Sequence, residues 1–224
     1  MDTTPPLPTR RRREWMIAAG LILLALVPSI AGAFRIGEIA SGAAQTEANA
    51  RFMQMPLPVV LHIAGALVYA IVGAFQFLPG LRRDHNGWHR FAGRYLLVPA
   101  GIVVASTGLW MTASYDVPPT DTGPVAFSRY VVGGLMLAFI GLGIAAVARR
   151  EYVAHGSWMI RAYALGMGAG TQVLTSGPAL VILGEPDALM RLVQMDAGWI
   201  INALFAEWVI ARRRRALRLE AVPA

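Results

Sequence analysis

Six apolar stretches of about twenty residues each alternate with short polar segments along the chain. A helix of about 20 apolar residues is long enough to cross the hydrocarbon core of a membrane. The pattern therefore predicts an all-α, polytopic integral membrane protein with six transmembrane helices. The predicted spans cover about 15–34, 58–78, 91–113, 126–148, 159–183 and 192–211.

The positive charges indicate how these spans are oriented. All twenty basic residues are arginine, and sixteen fall in clusters at one predicted side of the membrane. Because cytoplasmic loops of membrane proteins are enriched in arginine and lysine, both termini are predicted to be cytoplasmic, in a bacterial inner membrane. The clusters are Arg10 to Arg13; Arg82, Arg83, Arg90 and Arg94; Arg149, Arg150 and Arg161; and Arg212 to Arg215 with Arg218.

The same reading divides the chain into three parts. Residues 1–14 are predicted to be a disordered basic cytoplasmic tail, 15–211 the six-helix transmembrane domain, and 212–224 a second basic cytoplasmic tail. A basic start followed by an apolar run is also typical of a cleaved signal peptide. The first apolar run is longer than the apolar core of a usual signal peptide, so we expect an uncleaved helix.

Composition narrows the class of protein further. Hydrophobic residues make up 56% of the chain and charged residues 15%, whereas soluble domains carry roughly 25% charged residues. The net charge of +7 does not predict nucleic-acid binding, because the arginines lie at helix ends next to the lipid bilayer and its headgroups. The absence of cysteine excludes disulfides, thiolate metal sites and cysteine nucleophiles.

Polar side chains inside predicted spans are costly, so each is a candidate for a functional site. Several share the cytoplasmic level, and an ion pair of Glu207 with Arg161 or Arg94 would offset their burial. The sequence leaves two interpretations open: a lock between helix ends, or a pocket for an anion, a headgroup or a cofactor propionate. We expect His89, Arg94, His155, Arg161 and Glu207 to lie within about 10 Å of each other. The whole candidate set at this level is Gln76, His89, Arg94, His155, Trp158, Arg161 and Glu207.

His62 belongs to the opposite, outer level, where Asp196 or a hydroxyl of the fourth span is its expected partner. A membrane haem b needs two imidazoles at the same depth on facing helices. His89 and His155 share the inner side with arginines that suit propionates, although both lie just before their spans. One haem b on the inner side therefore remains a hypothesis. The sequence contains no motif of a hydrolytic enzyme.

Two motifs resemble those of a known family. They read His89-Arg90-Phe-Ala-Gly93-Arg94 and His155-Gly-Ser-Trp158-Met-Ile-Arg161-Ala-Tyr-Ala. Over about residues 57–212 the chain resembles a bacterial family of predicted membrane proteins of unknown function, and its layout is similar to small membrane b-type cytochromes and ferric reductases. The resemblance implies a multi-helix membrane protein. It also implies that the family pattern includes His62, Gln76, His89, Arg90, Gly93, Arg94, His155, Trp158, Arg161 and Glu207.

Three functional classes remain from sequence. The first is a binding or accessory subunit of a membrane assembly, with other membrane subunits or a second copy of itself as partner. The second is a redox protein that binds one haem b or a quinone. The third is a small transporter or lipid-handling protein. No catalytic residue is predicted.

Overall fold

The computed structural model describes residues 8–220, apart from the side chains at positions 8–11, 13, 82–84, 86 and 220. Within that range every element is helical and no strand occurs, which confirms the all-α class. A π-helical segment covers Gly93–Leu97 and a 3-10 turn covers Pro119–Asp121. The α-helices are α1 Pro8–Ser41, α2 Ala50–Gln54, α3 Pro56–Gln76, α4 Pro79–Asp84, α5 Asn86–Ala92, α6 Val98–Ser114, α7 Pro124–Ala148, α8 Tyr152–Gly166, α9 Gly168–Leu183 and α10 Ala188–Glu220.

Four helical stretches are long and apolar enough to cross a membrane. They are Glu14–Ser41, Pro56–Gln76, Gly87–Ser114 and Pro124–Ala148. The predicted fifth span is divided at Met167 into α8 and α9. The predicted sixth span lies in α10, which is continuous but carries several polar residues, namely Gln194, Asp196, Asn202 and Glu207.

Helix boundaries differ from the predicted ones at the polar segments. Residues 8–14 continue α1, so this part of the predicted disordered tail is helical, whereas residues 1–7 lie outside the described range. The predicted loop 80–90 contains α4 and α5, and α10 runs through the basic tail to Glu220. An apolar run ends at the first charged residues, but the helix can continue through them, because arginine is a good helix former.

Neighbouring long helices pack antiparallel. His62 near the start of α3 contacts Val104 of α6, while Gln76 at the end of α3 lies next to Gly93. We call the end of the bundle that carries Arg90, Arg94, Arg149, Arg150 and Arg212 to Arg215 the basic end. The other end, formed by segments 42–49, 115–123 and 184–187, is the loop end.

Glycines in the centre of the bundle make room for two tyrosine rings. A methyl group at Gly101 of α6 or at Gly166 of α8 would lie 2.6 Å from a ring carbon of Tyr69. The ring of Tyr163 occupies the space above Gly73 in the same way. Small residues are enriched where membrane helices pack closely. At these positions the glycines admit aromatic side chains from the neighbouring helix.

Candidate functional site

An ion pair between Arg161 and Glu207 joins α8 to α10 on the side of the basic end. Arg161 Nε donates to Glu207 Oε1 at 2.5 Å, and Nη2 donates to Oε2 at 2.8 Å. Two parallel hydrogen bonds fix the relative orientation of the two groups as well as their distance. One of the two ion pairs predicted from sequence is thus confirmed. The Arg161 side chain is 19% exposed and that of Glu207 53%, so the pair lies at the bundle surface.

Trp158 extends this contact to a third helix. The Arg161 guanidinium carbon lies 4.6 Å from the centre of the Trp158 ring, within the range of a cation–π interaction. Trp158 stacks in turn on Phe139 of α7, with ring centres 5.6 Å apart. The chain of contacts from Glu207 to Phe139 therefore ties α10, α8 and α7 together.

Two of the candidate histidines, His155 and His62, bond to backbone carbonyls. His155 Nδ1 lies 2.8 Å from the Gly143 oxygen, and His62 Nδ1 lies 3.0 Å from the Val104 oxygen. Because a carbonyl only accepts, these contacts assign the proton to Nδ1 in both rings. His62 also contacts the Thr107 hydroxyl at 3.1 Å.

The expected partners of His62 were wrong. Its two contacts lie on α6, the antiparallel neighbour of α3, and not on the fourth span or on Asp196. Asp196 of α10 instead accepts a 3.0 Å hydrogen bond from Ser128 of α7. Hydropathy gives the depth of a polar residue but not which helix lies beside it.

His62 and His155 lie far apart along the bundle. The hydroxyl of Tyr163 bonds to the carbonyl oxygen of Ala70, which places these two residues within about one helical turn of the same level. His62 precedes Ala70 by eight residues towards the loop end, and His155 precedes Tyr163 by eight towards the basic end. At 1.5 Å per residue each lies about 12 Å from that level, so about 24 Å separates them axially. They cannot hold one haem between them.

Gln76, His89 and Arg94 also lie near the basic end. The buried Gln76 Nε2 has no hydrogen-bond partner within the described part of the chain, and Gln76 Oε1 faces Gly93 at the start of the π-helical segment. His89 is half-buried one turn before Gly93, and Arg94 is exposed. Short π segments often occur at functional sites. Arg161 and Glu207 are in direct contact, whereas the gathering of all five residues within about 10 Å stays a prediction.

A polar contact that sequence analysis missed spans the break between α8 and α9. Asn202 Nδ2 donates to the Ala164 oxygen at 3.0 Å, and Thr171 Oγ1 donates to Asn202 Oδ1 at 2.7 Å. One α10 side chain thus bonds to both sides of Met167. Breaks in membrane helices are tolerated where a neighbour satisfies backbone groups in this way. The signals available in sequence were the depth of Asn202 and the glycines at 166, 168 and 170.

A second missed cluster lies at the loop end. Asp121 accepts hydrogen bonds from Arg191 Nε at 2.7 Å and from Arg129 Nη2 at 2.5 Å. Burial raises the pKa of Asp121, but the hydrogen bonds and charges of Arg191 and Arg129 outweigh it, so the pKa is lowered. These two arginines are among the four outside the basic clusters. That position in the sequence could have indicated that each one pairs with a carboxylate.

Comparison with known protein families gives a match. No curated protein and no solved structure matches the chain. A family model described as "Predicted membrane protein (DUF2306)" matches residues 59–210. The matched part begins in α3, ends in α10 and contains every candidate residue named above. The chain therefore belongs to this family of membrane proteins of unknown function.

Proposed function

We propose that the protein crosses a bacterial inner membrane six times, with both termini in the cytoplasm, and serves as a small binding or accessory subunit of a membrane assembly. Helices α8 and α9 together form the fifth span and α10 the sixth. At 1.5 Å per residue, α10 alone is about 50 Å long, against about 30 Å of hydrocarbon core.

Charge distribution supports this orientation. The basic end carries exposed arginines from several helices, as expected of a cytoplasmic face. At the loop end Arg129 and Arg191 share the carboxylate of Asp121, and Arg35 pairs with Glu38 at 2.6 Å. These three arginines and two carboxylates together leave a net charge of only +1 at the loop end.

The accessory role is supported mainly by the Arg161–Glu207 ion pair, which serves as a contact between helices. Arg161 and Glu207 bond to each other, and Trp158 and Phe139 continue the contact into α7. The charges therefore fix the positions of three helices. Interhelical polar contacts of this kind stabilise membrane bundles, and this one supports a binding scaffold more than a reaction centre.

Topology can be tested with single cysteines, because the chain has none of its own. Gln45 is exposed at the loop end and Ala216 at the basic end. A membrane-impermeant maleimide should label the Q45C variant in cells with a permeable outer membrane, and the A216C variant only after the inner membrane is opened. Labelling of A216C in sealed cells would overturn the proposed orientation.

The accessory role can be tested by extraction from the native membrane in polymer-bounded lipid discs without detergent. Mass measurement should give a complex larger than the single 24.1 kDa chain, with a fixed ratio of partner or second copy. The same complex should form when the tagged chain is expressed at its natural level. A lone chain in intact discs would contradict the proposal.

A membrane redox protein is the second candidate function. The orientation of the His155 ring favours it. The Gly143 carbonyl holds Nδ1 and leaves Nε2 available, the orientation found in metal-bound histidines. At 1.5 Å per residue, His89 lies about 15 Å and His155 about 12 Å from the level of Ala70, both towards the basic end. The two histidines therefore have similar depths.

The redox candidate is tested by absorption spectra of the purified protein, first air-oxidised and then reduced with dithionite. A haem b would give a Soret band and sharp bands in the reduced state, and the H155A variant would lose them while H85A kept them. A colourless preparation at full yield would contradict the haem assignment and leave the accessory role as the remaining proposal.

A further inference from the structure

Three arginines of α10 continue the flank on which Glu207 meets α8. Arg214 and Arg218 follow Glu207 by seven and eleven residues, which is about two and three helical turns, so they lie in one stripe with it. Arg215 adjoins this stripe. Glu207 turns towards Arg161, so the stripe runs from that ion pair outwards along the basic end.

These residues enclose a groove of about 230 Å³ on the surface of α10. Its inner part is apolar, because it is lined by the exposed Ala211 and by Ile210, which is itself packed against Ile160 and Ala206. Its outer part is formed by guanidinium groups. The lining residues are Glu207, Ile210, Ala211, Arg214, Arg215 and Arg218.

The groove keeps a positive charge. Glu207 is hydrogen-bonded to Arg161 and also interacts electrostatically with Arg214. Because this single carboxylate faces Arg161 and the three groove arginines, the groove keeps a net positive charge. Arginine is well suited to phosphate, because its planar guanidinium can donate two hydrogen bonds to two phosphate oxygens. An apolar floor beside a cationic rim matches an amphiphilic anion better than a free ion.

Neighbouring residues place this groove at a membrane surface. Trp208 is exposed one turn before Arg212, whose guanidinium lies 5.5 Å from the Trp208 ring centre. Tryptophan marks the headgroup level of membrane proteins. The last apolar residues of the span, Ile210 and Ala211, therefore lie where an acyl chain would meet its headgroup.

We propose that this groove binds an anionic phospholipid of the cytoplasmic leaflet, with the phosphate on Arg214, Arg215 and Arg218 and the first part of an acyl chain against the exposed Ala211. The assignment of leaflet rests on the proposed topology, but the binding chemistry does not. Basic pockets next to membrane helices recognise lipid headgroups by this combination of charge and apolar contact.

The test compares two triple variants that lose equal charge at the same end. R214Q/R215Q/R218Q changes the groove, whereas R12Q/R149Q/R150Q changes three exposed arginines outside both the groove and the candidate site. Each protein is placed in discs of equal phosphatidylglycerol and phosphatidylcholine, and retained lipids are counted by native mass spectrometry. The wild type and the control should retain phosphatidylglycerol at about tenfold or greater preference, and the groove variant should lose it.

Each other outcome overturns the proposal. An equal loss in both triple variants would show diffuse surface charge and no site. Displacement of phosphatidylglycerol by millimolar inorganic phosphate would assign the groove to a soluble anion. The unfolding temperature of the groove variant should match the wild type, because its three side chains lie beyond the packed bundle. Sidedness does not affect lipid retention, so maleimide labelling of A216C reports separately on the topology.

Discussion

The hydroxyl of Tyr163 donates a 2.8 Å hydrogen bond to the carbonyl oxygen of Ala70, and its ring covers Gly73 one turn further along α3. Tyr69 lies against this ring, with the two ring centres 5.5 Å apart. The pair fills the centre of the bundle between α3 and α8. Its fit depends on the missing side chain at Gly73.

Replacing Gly73 by alanine should therefore destabilise the protein. The added methyl group would overlap the Tyr163 ring, and such overpacking costs about 1–3 kcal/mol. Gly141 of α7 is the matched control, because no atom lies within 4 Å of an added methyl group. Thermal unfolding in detergent should show a lower midpoint for G73A only. Equal midpoints for the two variants would argue against the tyrosine packing.

Breaking the Arg161–Glu207 pair should have a modest effect. Glu207 is half exposed, and exposed ion pairs contribute about 0.2–1 kcal/mol because of solvent screening. A double-mutant cycle of R161Q and E207Q should give a coupling energy in that range, and added salt should reduce it. A coupling of zero would show that the bidentate contact does not hold α8 to α10.

Replacing Asn202 by leucine should loosen the α8–α9 break. Hydrogen bonds between membrane helices contribute on average about 0.6 kcal/mol each, so losing both contacts of Asn202 should cost about 1–2 kcal/mol. The T171V variant removes one of them, and its effect should not add to that of N202L. T112V is the control, because that hydroxyl bonds only within its own helix. Additive effects of T171V and N202L would contradict the shared contact.

Asp121 should make the loop end sensitive to acid. Its pKa is lowered in the folded protein, so its stabilising effect is complete above the ordinary carboxyl value of 3.8 and is lost as the pH falls through the lowered value. D121N should be less stable than the wild type at neutral pH, by about 1–3 kcal/mol, and this difference should shrink below about pH 4. Unfolding midpoints measured from pH 7 to pH 3 test this, with the exposed Asp116 as the D116N control. A pH-independent difference would contradict the ion-pair origin.

Sequence alone predicted the helical class and the approximate positions of the four helices that are long and apolar enough to cross a membrane, because length and hydropathy determine this property. It also gave the Arg161–Glu207 pair as one of two alternatives for Glu207, since the residues share a level and their charges offset each other. It did not predict the break at Met167 or the π-helical segment Gly93–Leu97. Both are changes of backbone hydrogen bonding inside apolar sequence, to which hydropathy is insensitive.

Lateral packing was the other property that the sequence did not reveal. Asp196 and His62 have similar depths, yet one bonds to α7 and the other to α6. Charge and hydropathy indicate how deep a residue lies in the membrane, but they do not indicate which helices lie beside it. Which helices are neighbours depends on the fit of side chains such as Tyr69 into Gly101 and Gly166, which requires coordinates.

The continuous length of α10 has a mechanical consequence for the interrupted helix beside it. Arg161 and Ala164 of α8 bond to α10, and so do Thr171 and Thr175 of α9. One continuous helix thus contacts both α8 and α9. Bending at Met167 would require α8 or α9 to detach from α10, so α10 determines how strongly the α8–α9 pair resists bending.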